Sequence, residues 1–177
     1  HGPMSTDGHT AYIRSTIHPH TGKAACLLSW GTITALLTPD TALTTARDLM
    51  AAAAHADSDV TFLQYCRETL KTDLHTAGLM LRDIRAGRPT PTGTPALRIE
   101  ALAGIRTGTP RALIHIARGS MKGELTPDEA RTMALHWTET AVAAQIDVRL
   151  RYVLGDIPQL TPHDIDSIFT SLQSVQR

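Results

Sequence analysis

The sequence predicts an α+β protein built by tandem duplication of a β-β-β-α unit, with approximate internal two-fold symmetry between the copies. The first ground is register. Lys23 to Val60 aligns without a gap on Arg111 to Val148 when Thr38 is set on Thr126, an offset of 88 residues. The shared core is Leu37-Thr38-Pro39-Asp40 against Leu125-Thr126-Pro127-Asp128, with Gly31/Gly119 upstream and Ala42/Ala130, Ala46/Ala134, Ala53/Ala141, Ala56/Ala144 and Asp59/Asp147 downstream. A register held across a turn and a helix together indicates a repeated supersecondary unit rather than a shared helix cap. The second ground is periodicity: short, strand-length apolar segments precede each Thr-Pro-Asp and a helical apolar stripe follows it. On this basis residues 4–87 form the first repeat with a long second helix, 88–95 a linker, and 96–177 the second repeat with a short C-terminal helix.

In chain order, Tyr12, Arg14 and Thr16 alternate with Ile13, Ser15 and Ile17, which predicts a strand entering a turn at His18-Pro19-His20-Thr21-Gly22. Two short strands follow at Ala24 to Trp30 and Ile33 to Leu37, hinged at Gly31, where glycine tolerates a tight hairpin. The second copy repeats them as Leu97 to Ile105, a turn at Thr107-Gly108-Thr109-Pro110, then Arg111 to Arg118, Gly119-Ser120 and Met121 to Leu125.

Helix starts are the sharpest local signals. Thr38 and Thr126 carry capping hydroxyls, Pro39 and Pro127 take the first helical position, and Asp40 and Asp128 complement the positive end of the dipole. Glu129 completes a capping box with Thr126 that Thr41 does not offer Thr38. A third start at Leu160-Thr161-Pro162-His163-Asp164 opens a helix ending near Val175. One apolar stripe runs through Ala42, Ala46, Leu49, Met50 and Ala53, and its counterpart through Ala130, Met133, Ala134, Trp137, Ala141 and Ala144.

The copies are expected to diverge after Asp59 and Asp147. Val60 to Ile84 reads as one long helix with Leu63, Leu70, Ala77 and Ile84 seven apart and Leu74 and Leu81 interleaved, a narrow seam suited to another helix. In the second copy Gly155 and Pro158 stop the helix. Arg88-Pro89-Thr90-Pro91-Thr92-Gly93-Thr94-Pro95 reads as an extended, mobile linker.

At 177 residues with 42% hydrophobic content, the chain can bury a core without a disulfide or metal staple. Cys26 and Cys66 lie in apolar segments and read as buried free thiols of a reducing compartment. The formal net charge is zero, which removes any global electrostatic case for nucleic acid or anionic membrane. No apolar run reaches the roughly 18 residues of a membrane span and no signal peptide is evident, so a cytoplasmic location without membrane contact is expected. His1-Gly2-Pro3 resembles the remnant of a cleaved tag, placing the natural start at Met4. The alanine- and threonine-rich style of the repeated segments resembles that of proteins from high-GC actinobacteria, their plasmids and phages; the likeness is compositional and implies no activity.

Motifs that carry chemistry are sparse. His18 and His20 share a turn, but zinc takes three or four protein ligands and none lies nearby in sequence, so no metal and no cofactor is expected. Ser29, Ser120, Cys26 and Cys66 lack the glycine-bounded elbow of an exposed nucleophile, and no phosphate loop with its lysine occurs. Arg82, Arg85 and Arg88 close the long helix, where the dipole alone favours cations. The expected function is therefore non-enzymatic: a binding or assembly module using Leu63, Leu70, Leu74, Ala77 and Leu81 for a protein partner or for self-association. The alternative is a DNA-binding accessory or regulatory protein that contacts nucleic acid through Arg98, Arg106, Arg111, Arg118, Arg149 and Arg151. The third class is an enzyme with a pocket between the repeats, which needs no local motif.

Overall fold

A computed structural model describes residues 11–106 and 109–175; the side chains at 104–106 and 175 lie outside the description. Alternating residues build β1 (Tyr12–Ile17), which pairs antiparallel with β2 (Ala24–Trp30), and β2 pairs with β3 (Ile33–Leu37). This first sheet turns Ile13, Cys26, Leu28 and Leu37 inward. A second antiparallel sheet follows the same plan from β4 (Arg98–Arg106), β5 (Thr109–Arg118) and β6 (Met121–Leu125). Of the turn expected at 107–110, Thr107 and Gly108 lie outside the described residues, and Thr109 and Pro110 belong to β5. Both β-hairpin turns that precede β3 and β6 use glycine at positive φ, +59° at Gly31 and +56° at Gly119. At Gly119 a Cβ would also meet Ile33 Cδ1 at 3.3 Å, so the second turn is pressed against the first sheet.

Each sheet is followed by a long helix, α1 (Pro39–Glu68) and α3 (Pro127–Gly155). Thr38 accepts from Thr41 N at 3.1 Å, and Thr126 and Glu129 close a reciprocal capping box with bonds of 3.1 and 2.9 Å. The two helices pack against one another along their alanine stripes, and each then lies chiefly on the sheet of the other half: α1 on β4 and β5, α3 on β1 and β2. Small residues make this possible. Ala42, Ala46, Ala53 and Ala56 on α1, with Ala130, Ala134, Ala141 and Ala144 on α3, let the backbones approach while Leu49, Met133, Trp30 and Trp137 fill the space between helices and sheets. Trp137 is fully buried, and its indole N–H finds no hydrogen-bond acceptor among the described residues. Cys26 and Cys66 are buried free thiols, and burial pushes the Cys26 thiol up to about 11, out of the range where a thiolate forms at neutral pH.

The long helix expected over Val60 to Ile84 is two helices. α1 runs unbroken through Asp59 and Val60 to Glu68, and a turn at 69–73 leads to α2 (Leu74–Ala86). Three local features set the break: Lys71 takes φ +53°, Thr72 N returns to Cys66 O at 2.9 Å, and Asp73 caps α2 by accepting from Thr76 N at 2.7 Å. α2 folds back on α1, so Leu63, Cys66, Ala77 and Leu81 form a second small core with Phe62 and Ala103. The seven-residue spacing therefore spans two elements rather than one face. The divergence expected after Asp147 is also reduced, because α4 (Pro162–Val175) returns on α3 in the second half.

The proline-rich segment after α2 is tethered rather than free. Arg88 pairs with Asp59, Arg47 Nη2 donates to Thr92 O at 2.5 Å, and Ala96 N donates to the buried Thr45 hydroxyl at 2.7 Å. Its proline content explains why it adds no strand, since each ring removes a ladder donor.

Candidate functional site

The exchange of helices between sheets leaves a cleft of about 780 Å³ where α1 crosses the start of β4. Its floor is Ala51 and Ala52 of α1 with Leu97, Ile99 and Ala101, and its lip is the tethered segment at Pro89, Thr90, Pro91 and Pro95. Polar side chains converge on it from three elements: Asp48 and His55 from α1, Arg85 and Arg88 from the end of α2, and Arg118 from the inner face of the second sheet, while Arg98 and Glu100, on the opposite face of β4, contribute only to its rim.

Asp59 sets the electrostatics from behind. It is 1% exposed and lies one helical turn beyond His55 on α1. Arg85 Nε donates to its Oδ2 at 3.0 Å, and Arg88 donates to both carboxylate oxygens. A buried carboxylate of this kind requires paired donors, and it fixes both guanidiniums in place. Two cations meet one anion, so the clasp keeps a net positive charge. Arg118 is held from the other side by donating to Ala96 O at 2.7 Å. Arg98 is exposed and makes no hydrogen bond or ion pair with the described residues. Three arginines, Arg85, Arg88 and Arg118, against Asp48 and the buried Asp59 leave the cleft cationic on a chain of zero net charge.

The sequence-predicted seam is divided by the fold. Leu63, Ala77 and Leu81 are buried inside the chain, whereas Leu70 and Leu74 stay exposed at the α1–α2 turn. The six arginines do not form one patch. Arg98 and Arg111 lie on the solvent face of the second sheet, about 20 Å apart along its strands, with Glu100 and the His115–Glu124 pair on the same face. Arg118 points to the cleft, Arg151 pairs with Asp166 at 2.9 Å and covers the Phe169 ring at 4.1 Å, and Arg149 is exposed on α3. The Arg106 side chain lies outside the described residues. His18 Nδ1 accepts from His20 N and Thr21 N at 3.2 and 3.3 Å, which commits that nitrogen to the turn. Among the described residues no group of three or more His, Cys, Asp or Glu is placed to hold a metal ion, and no helix is long and apolar enough to cross a membrane.

Arg85 and Arg88 belong to the cleft, and only their dipole role was visible in sequence. The available signal was Asp59 itself, a carboxylate in phase with the alanine stripe that has to find a cation once buried. Asp147, the residue the sequence alignment sets on Asp59, sits in a smaller hollow of about 200 Å³ with Arg14, Arg151, Phe169 and Gln173. Burial raises the Asp147 carboxyl above the usual carboxylate range, and the Arg151 charge opposes this. Gln173 lines this hollow, and no clasp of two arginines on Asp147 is formed among the described residues. No protein-family model, curated protein or solved structure matches the chain.

Proposed function

We propose that this protein is a non-enzymatic binding module that takes an organic anion of metabolite size in the cleft between α1 and β4. The observation that carries the proposal is the clasp of Arg85 and Arg88 on buried Asp59, which holds surplus positive charge at the edge of an apolar-floored cavity. Guanidiniums stay protonated and present fixed donors, so they suit recognition of carboxylate or phosphate better than proton transfer. The cavity volume falls within the range of small-molecule sites. The alanine and proline walls fit an apolar body behind the charged group.

Internal duplication belongs to the same proposal. β3 and β6 begin at Ile33 and Met121, α1 and α3 at Pro39 and Pro127, α2 and α4 at Leu74 and Pro162, each pair 88 residues apart. The exchange of long helices between sheets is reciprocal, as an approximate two-fold axis requires. Binding then belongs to one of two related hollows, the one in which the arginine clasp is present.

The test is thermal denaturation with inorganic phosphate, citrate and a short acidic peptide, on the natural chain and on Ala51→Glu, which sets a carboxylate in the cleft floor. Ala51 is an exposed position of α1 and glutamate is a good helix former, so the ligand-free variant should melt near the natural chain. At least one probe should raise the melting temperature, by roughly 5–10 °C at a hundredfold excess over its Kd, and the rise should shrink in the variant. Absence of any rise, or an equal rise in Ala51→Glu, would refute the assignment.

A further inference from the structure

The outer face of α3 carries an uncovered seam that reads the same in both directions. Leu135, Glu139, Val142, Ile146, Arg149 and Val153 follow one another at steps of 4, 3, 4, 3 and 4 residues, the spacing of the core positions of a coiled coil. They lie on the side of the helix opposite the buried Met133, Trp137, Thr140 and Ala144. All six are exposed, with Leu135 at 57%, Ile146 at 54% and Val153 at 58%. Large apolar side chains in a row on the solvent side of a helix are not explained by the fold of one chain.

We propose that a second copy of this chain docks antiparallel on this seam, giving a closed two-fold dimer through α3. Antiparallel helices place each position of one column opposite a position of the other column. Centred on Ala144, that rule sets Leu135 against the second copy's Val153, Val142 against its Ile146, and Glu139 against its Arg149. Every layer then matches, apolar with apolar and the one acid with the one base, and the two-fold axis makes each match twice. A parallel pair would instead stack Glu139 on Glu139 and Arg149 on Arg149, which like-charge repulsion disfavours. The polar layer also fixes the register, since a slip of one heptad breaks the Glu139–Arg149 layer and sets either Arg149 against Ile146 or Glu139 against Val142.

The other long helix does not repeat this surface. At the equivalent positions α1 carries Arg47, Ala51, Ala54, Ser58, Thr61 and Tyr65, and Arg47 is already held by Thr92 O. One self-complementary face closes a dimer and does not propagate a filament. The seam spans about 27 Å along α3, from Leu135 to Val153. The inference is independent of ligand binding in the cleft, which lies against α1 and β4.

Light scattering and sedimentation on the full chain at on the order of 0.1 mM test it. The natural protein should show twice the chain mass, falling on dilution. Glu139→Arg alone and Arg149→Glu alone should each be monomeric with native circular dichroism. Mixed one to one, these two variants should recover the dimer, because every charged layer again pairs opposite signs. Ile146→Glu should be monomeric under all conditions. A natural chain that is monomeric at this concentration, a dimer unaffected by Glu139→Arg, or a mixture that stays monomeric would each overturn the proposal.

Discussion

Replacing Asp59 by alanine removes the anion on which Arg85 and Arg88 converge, and the structure sets how much that should cost. Deleting one partner of a buried ion pair typically destabilises by about 3–5 kcal/mol, because the group left behind is charged and dry. The stranded groups here are not dry: the side chains of Arg85 and Arg88 are 35% and 19% exposed and can swing to water. The expected loss for Asp59→Ala is therefore lower, about 2–3 kcal/mol, or roughly 5–10 °C in Tm for a chain of this size. The reverse deletion should be worse. Arg85→Ala with Arg88→Ala leaves a carboxylate that is 1% exposed with no cation, so that pair should lose about 3–5 kcal/mol. Urea denaturation of the three proteins measures the order, and amide exchange should rise at 86–92 in both variants as the lip of the cleft loosens. An Asp59→Ala loss below about 1 kcal/mol, or a double arginine variant more stable than Asp59→Ala, would refute a buried, charge-dependent clasp.

Thr126→Ala removes the hydroxyl that accepts from Glu129 N, while the backbone N–H that donates to Glu129 Oε1 remains, and it should cost about 1 kcal/mol by denaturant midpoint. Asp147→Asn should raise Tm at neutral pH. Its folded carboxyl is held above its unfolded value, so stability linked to its protonation is present below the ordinary carboxylate range and lost as pH rises through the folded value. The difference between the natural chain and Asp147→Asn should therefore vanish below about pH 4, and a gap that persists there would place its origin elsewhere than in this titration.

Much of the local structure was legible in the sequence. β2 and β3 lie at the bounds their apolar runs predict, and the Thr-Pro-Asp starts cap α1 and α3 through the expected hydroxyls. These features depend on a few neighbouring residues and the bond each side chain can make. The seam across 60–84 failed for the same reason in reverse. A seven-residue spacing is blind to a turn, and it cannot weigh Asp73 as a cap against Leu70 and Leu74 as interior positions. The cleft was legible only in its ingredients. Arg85 and Arg88 were visible as helix-end cations, but Asp59 lies 26 and 29 residues from them, and no local pattern joins charges so distant in sequence.

Sequence alone thus determined the α+β class, the strands, the helix starts at Thr38, Thr126 and Thr161 and a stripe on each long helix. Tertiary structure alone decided what each stripe covers. An alanine-rich face fits any flat apolar surface equally well, and it does not say that α1 should cross to β4 and β5 while α3 crosses to β1 and β2. That choice follows from burying both sheets and both helices in one shared core, a sum over the whole chain. It also opens the cleft under the tethered proline segment and turns the second face of α3, with Leu135, Val142, Ile146 and Val153, out to solvent.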